Sequence, residues 1–308
     1  MILIKRWIQN WRFAIKDFLS CLGFLWLITE IISYFFSSVS ERLNLPLIFW
    51  CILGSSFLYA IFKNYPKSSH SIKIRDRDSC IELKIGDAFN VKGSQIVPFN
   101  NYFDTSLNGN VKEAKSIQNK LIKDYFNNDS KQLDDKIKEK INIRDTPFEI
   151  GKVIEIEKQK KKLFKNKIKR FYLLVNSKKQ KNDRVKSSID DFMLSLNGLW
   201  EFLSSDSSKD ESIVIPLINA QHGRNPELTR EIIIKQIIDT FIDTSKYKAI
   251  CEKLIIVIHP SDLKKGNLKF DELIKYQLFQ CKNYKSIEFN PKPEGKEIEP
   301  SEVSKIKN

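Results

Sequence analysis

The residues best equipped for chemistry lie in two polar loops and one short acidic turn. The segment NAQHGRNPELTR, residues 219–230, carries Asn219, Gln221, His222, Gly223 and Arg224 ahead of Asn225 and Pro226. Asparagine suits a helix N-cap and proline the first helical turn, so the spacing predicts a helix beginning directly after Gly223 and Arg224. A helix start gathers unpaired N–H groups and the positive end of the dipole, and Arg224 adds a guanidinium that can grip phosphate oxygens. This loop is an anion site by construction, although many loops of its kind bind nothing. The second loop, FNNYFDTSLNGN at 99–110, offers Asn100, Asn101, Thr105, Asn108 and Gly109. Each loop follows a buried-strand pattern, and ligands of open α/β sheets bind beyond strand C-termini. There Asn100 and Asn101 can bond ribose hydroxyls, while Asp87, in the run IGDAF, can accept from an adenine amino group.

Metal chemistry finds no support. His70, His222 and His259 are far apart, and Cys21, Cys51, Cys80, Cys251 and Cys281 show no C-x-x-C spacing. These patterns predict neither a metal nor a disulfide framework, and a reducing compartment.

The elements that must position the loops follow from periodicity. Short strands are predicted at 71–75, 81–85 and 95–99, then a helix over 111–126 with Ala114, Ile117, Leu121, Ile122 and Tyr125 on one face. A second, exposed helix extends to about residue 144. Residues 152–156 and 170–175 pair as a hairpin, and 188–203 form an amphipathic helix. The continuous apolar runs at 212–218 and 253–259 read as strands buried on both faces, with a helix over 226–242 between them. The fold class is α/β: a central mixed sheet flanked by helices over residues 67–290, followed by a charged tail, 291–308, whose Pro, Lys and Glu content predicts disorder.

Residues 1–66 differ in kind. FLSCLGFLWLITEIISYFF at 18–36 and LPLIFWCILGSSFLYAIF at 45–62 are each long enough to cross a bilayer, and the short polar stretch between them makes a transmembrane helical hairpin. A second apolar run so close behind the first argues against a signal peptide. Lys5, Arg6, Arg12 and Lys16 precede the spans and Lys63, Lys67, Lys73 and Arg75 follow them, against Arg42 alone in the connection. The positive-inside rule then puts both termini in the cytoplasm. Trp7 and Trp11 fit either an interfacial lead-in or a simple extension of the first span. Glu30 is the one acid inside a span, where a mid-bilayer charge costs about 2.5–3.5 kcal/mol. It fits a polar contact in an oligomer or pore, or equally a place near the outer head groups. Gly54, with Ser55 and Ser56, permits close helix packing. The net charge of +14 suits nucleic acid, anionic lipid or a polyphosphate ligand equally. Its lysine runs at 158–169 and 178–186 flank a strand, as solvated hairpin ends do.

The order IGDAF, IVPFNNYFDTSLNG, a helix, GKVIEI, FYLLVN, LNGLWEFL, IVIPLINAQHGR and LTREIIIKQIIDTF resembles the macro domain of Thoeris antiphage effectors, in the version preceded by two transmembrane helices. The likeness spans about residues 72–260. It implies a macro-type fold that binds ADP-ribose, with Asp87 for adenine, Asn100 or Asn101 for the distal ribose, and Gly223 with its neighbours for the diphosphate. Thr105, Asn108, Gly109, Asn219, Gln221, His222 and Arg224 complete the expected ligand-binding set. It further implies an abortive-infection effector that answers an ADP-ribose-derived signal, histidine-conjugated ADP-ribose, made by a TIR-domain partner. Such a protein would form a homo-oligomer on activation and disturb the lipid of the inner membrane through its spans, with Glu30 and Gly54 in the output. Hydrolytic macro domains carry a glycine run in the first ligand loop, and the glycohydrolase branch has GGG followed by QEE. This chain has only Gly109 there, which favours a sensor with no cofactor and no catalytic residue. A tethered ADP-ribosyl hydrolase using Asp104 is the alternative, and a tethered nucleic-acid binder, for which no motif is present, is the second.

Overall fold

The computed structural model describes residues 11–35, 45–65, 67–105, 116–141, 146–157, 168–180, 185–205, 212–218, 228–265 and 268–283. Two helices open it, α1 (Trp11–Phe35) and α2 (Leu45–Lys63), both long and apolar enough to cross a bilayer. They pack antiparallel: Asp17 of α1 accepts from Lys63 Nζ at 2.8 Å and Asn64 Nδ2 at 2.9 Å, while Trp26 meets Phe49 edge to face. Trp11 belongs to α1 itself, so the helix extends the first span rather than beginning with it.

The rest is a mixed sheet of seven strands among the described residues, in the order β1-β2-β8-β7-β3-β5-β4. These are β1 (Ser69–Lys73), β2 (Cys80–Ile85), β3 (Gly93–Asn100), β4 (Val153–Glu157), β5 (Ile168–Lys179), β7 (Ser212–Pro216) and β8 (Lys253–Ile258), with the short β6 (Val185–Lys186) pairing β5. The five central strands are mutually parallel, and β1 and β4 close the edges in antiparallel pairing. Helices cover both faces: α5 (Ile189–Ser205), α6 (Arg230–Ser245) and α8 (Phe270–Lys282) on one, α3 (Ile117–Tyr125) and α4 (Ser130–Lys140) on the other. A short α7 (Pro260–Lys265) follows β8.

Burial on both faces explains the continuous apolar runs. In β5, Tyr172 and Leu174 enter the core under α5 and α6, while Phe171, Leu173 and Val175 enter the core under α3 and α4. In β8, Leu254, Ile256 and Ile258 join the first core, and Ile255 and Val257 meet Ala88, Val91 and Val214 on the other side.

Several expectations need correction. The first strand lies two residues early, because Ile74 to Ser79 make a tight turn in which Asp76 takes φ 58°. The helix predicted from Val111 begins at Ile117, capped by Ser116 Oγ. The helix α4 is not merely exposed, since Leu133 and Ile137 are buried against the second core. The helix predicted to start at Pro226 begins at Arg230, with Thr229 Oγ1 accepting from Ile232 N. The tail from residue 291 lies outside the described residues.

The close approach of α5 to the β4 end of the sheet depends on two glycines. A Cβ on Gly198 would stand 2.5 Å from the carbonyl oxygen of Gly151, and Gly151 itself holds φ 91°. Gly198→Ala should gain about 1 kcal/mol of helix propensity and lose about 1–3 kcal/mol to overpacking against backbone that has no room to retreat. Thermal unfolding should therefore show a lower midpoint; a higher one would contradict the close approach.

Candidate functional site

Because the five central strands are parallel, their C-terminal ends share one edge. There β2 leads through Gly86 to Asp87, β3 ends at Asn100, β5 ends at Lys179, β8 ends at Ile258 just before His259, and β7 exits through Leu217 and Ile218. The backbone N–H of Gly86 donates to Ile258 at 3.0 Å, which holds the Asp87 turn beside the end of β8.

Asp87 caps a single 3-10 turn, Ala88–Asn90, its Oδ1 accepting from Phe89 N at 3.1 Å. Its Oδ2 accepts from Lys120 Nζ of α3 in a close ion pair. The Phe89 ring beneath packs on Tyr125 and Phe171. Burial, with smaller contributions from the Asp124 and Asp87 carboxylates, pushes the Tyr125 phenol up to about 12, so this floor of the site stays neutral.

The loop after β3 is wound around Asn100, whose Oδ1 accepts from Tyr102 N at 3.0 Å and Asp104 N at 3.1 Å. Phe103 takes φ 50°, an unusual conformation for a bulky residue, and its buried ring between Phe99 and Phe148 holds it there. Asn101 is buried: its N–H donates to Ser177 O, its carbonyl accepts from Phe148 N, and its Oδ1 accepts from Lys179 N at 2.9 Å. Thr105, also buried, turns its hydroxyl toward Asp134 of α4. The Asp104 carboxylate pairs with Lys179 Nζ at 2.7 Å, and its carbonyl accepts from Gln118 of α3. Asp87 and the Asn100–Thr105 loop thus reach the same edge, but Asn101 and Thr105 spend hydrogen-bonding groups on the frame.

Asn108, Gly109, Asn219, Gln221, His222, Gly223 and Arg224 lie outside the described residues. With the helix starting at Arg230, that residue lies in the first turn of α6. Arg230 Nε donates to Asp262 of α7 at 3.0 Å. Sequence reasoning missed Lys120, Lys179 and Arg230. Their three ion pairs, with Asp87, Asp104 and Asp262, join residues remote in sequence, and no local pattern pointed to them.

In the helical hairpin, Ile52, Ser56 and Ala60 are the buried positions of α2. Gly54 is exposed, with open space where a Cβ would stand, so Ser56 rather than Gly54 sits in the contact. Glu30 is exposed on α1, off the contact with α2. Among the described residues, no group of three His, Cys, Asp or Glu side chains is arranged to hold a metal ion.

Over residues 81–259, more than half the chain, the sequence matches the family model described as Thoeris protein ThsA, Macro domain. It is 22% identical over 234 residues to the Thoeris protein ThsA of Bacillus amyloliquefaciens (strain Y2), an alignment covering 70% of this chain and 72% of that protein. Among solved structures it is similar to a point mutant of the Oceanobacillus iheyensis macrodomain, at 14% identity and TM-score 0.47 over 68% of this chain and 99% of that one. A second point mutant of the same macrodomain gives 15% identity and TM-score 0.45 over 68% of this chain and 96% of that one.

Asn101→Ala would remove the acceptor that Lys179 N uses and leave a buried gap where β3 and β5 end. The expected loss is about 1–3 kcal/mol of stability, read as a lower urea midpoint. An unchanged midpoint would show that the carboxamide does not brace the loop.

Proposed function

The chain belongs to the Thoeris ThsA macro-domain family, an antiphage defence family with ADP-ribose-type ligand binding, and from that premise we propose that it is a membrane-anchored sensor of an ADP-ribose-derived signal. The observation that carries the reading is the convergence of Asp87, the Asn100–Thr105 loop and the exit of β7 on one sheet edge. Asp87 accepts from the adenine amino group, Asn100 and its loop meet the distal ribose, and the segment with Gly223 and Arg224 receives the diphosphate. The signal is histidine-conjugated ADP-ribose supplied by a TIR-domain partner.

Holding rather than hydrolysing the ligand is supported by two features. The first ligand loop has Gly109 as its single glycine, so backbone approach to the diphosphate is restricted. Asp104, the acid nearest the distal ribose, already pairs with Lys179 at 2.7 Å, which opposes a role in activating water.

The output is the hairpin. Its two helices match a bilayer in length, and the Asp17–Lys63–Asn64 contact ties their cytoplasmic ends together, next to the sensor domain. Ligand binding favours an assembled state in which the spans of several copies disturb the inner membrane. Switching an equilibrium from 1:99 to 99:1 takes about 5.5 kcal/mol of differential binding, which a ligand carrying a base, two riboses and a diphosphate has contacts enough to supply.

Calorimetry on the full-length protein in detergent, titrated with ADP-ribose and with its histidine conjugate, tests the reading. Binding without breakdown is expected, weakened about tenfold or more by Arg224→Ala, as loss of a charge-assisted hydrogen bond implies. Binding of neither compound would sink the sensor. Steady ligand turnover would favour the hydrolase instead.

A further inference from the structure

We propose that Lys120 is a built-in competitor for the ligand at Asp87, so that the nucleotide must displace an internal cation to enter. The inference rests on the reading of Asp87 as the ligand's acceptor. One oxygen of that carboxylate is committed to capping the Ala88–Asn90 turn through Phe89 N. The other, the one left for a ligand amino group, is taken by the Lys120 ammonium; the Asn90 carboxamide stands farther off, at 3.5 Å. A base that donates to Asp87 therefore meets an oxygen already engaged by a close cation, with which it must compete.

Lys120 is held in place from two sides. Its Nζ lies 5.4 Å from the centroid of the Phe89 ring, so cation and carboxylate are both fixed on the same turn. Leu121 and Ile122, the next two residues, are fully buried in the core against the sheet. The backbone of α3 is thus anchored, and releasing Asp87 requires only a swing of the lysine side chain. The side chains of Lys120 and Asp87 are 38% and 29% exposed, so water and ligand can reach the pair. A pair so exposed is weak enough for a ligand to break and strong enough to bias the empty site. In sequence α3 is the first described helix after the first ligand loop, beginning at Ile117.

The test is a double-mutant cycle on the full-length protein in detergent, with ADP-ribose affinity read by calorimetry for the wild type, Lys120→Met, Asp87→Asn and the pair combined. Methionine keeps the stem over Phe89 and removes the charge. Lys120→Met should bind about three- to fivefold more tightly than the wild type, the range that partly exposed ion pairs support. Asp87→Asn should bind more weakly, and Lys120→Met should change nothing once Asp87 is replaced. If Lys120→Met binds equally or more weakly, or still tightens binding in the Asp87→Asn background, the competitor role is overturned while the sensor reading stands. If none of the four proteins binds ADP-ribose, the sensor reading itself fails and the competitor role with it.

Discussion

Five parallel strands covered by helices on both faces leave this domain little freedom in where polar chemistry can go. Side chains along β5 and β8 alternate between two dry cores, and a polar group placed there would have to be paired or expelled. Loops at the strand C-termini are under no such demand. Parallel register brings all of them to one edge, so residues as remote in sequence as Asp87, Asn100 and His259 follow strand ends on the same side of the sheet. The macro-domain reading depends on that arrangement more than on any one side chain.

The polar residues at this edge fall into two groups. Asn101 and Thr105 are largely consumed by the frame, bracing β5 and tying the loop to α4, while Asn100 uses Oδ1 to wind the loop after β3. Asp87, Asp104 and Asp262 are instead paired with cations from other elements. An anionic ligand entering here meets carboxylates already neutralised and cations already positioned.

The fold was legible where burial is two-sided. The runs at 96–99, 213–216 and 254–258 are apolar without interruption, and a strand between two cores admits little else, while 81–85 shows its strand by alternation, with Glu82 and Lys84 between buried Ile81 and Leu83. Where burial is one-sided or polar groups substitute for apolar ones, the pattern misled. Asn225 and Pro226 imitate a helix start, but the cap is Thr229. The helix α8 went unread beyond the last strand. Its inward face carries Gln277, buried between the His70 ring and the carbonyl of Ile81, and Cys281 where larger apolar residues would announce a helix. The polar turn after β3 could be found from its composition and its place after a buried strand, whereas residues 219–227 lie outside the described residues. The pairing of Asp87 with Lys120, 33 residues away, could not, because nothing in a linear sequence records which cation a fold returns to which acid.

One chain carries both a sheet edge where polar loops converge and a pair of helices long and apolar enough to cross a bilayer. Glu30 is exposed on α1, off the contact with α2. The most direct measurement is dye release from vesicles reconstituted with the full-length protein, before and after addition of ADP-ribose or its histidine conjugate. Vesicles are expected to stay tight without ligand and to release dye with ligand concentration through the same range as binding. Release that ignores the ligand, or saturating binding with vesicles that stay sealed, would contradict the link between crevice and hairpin.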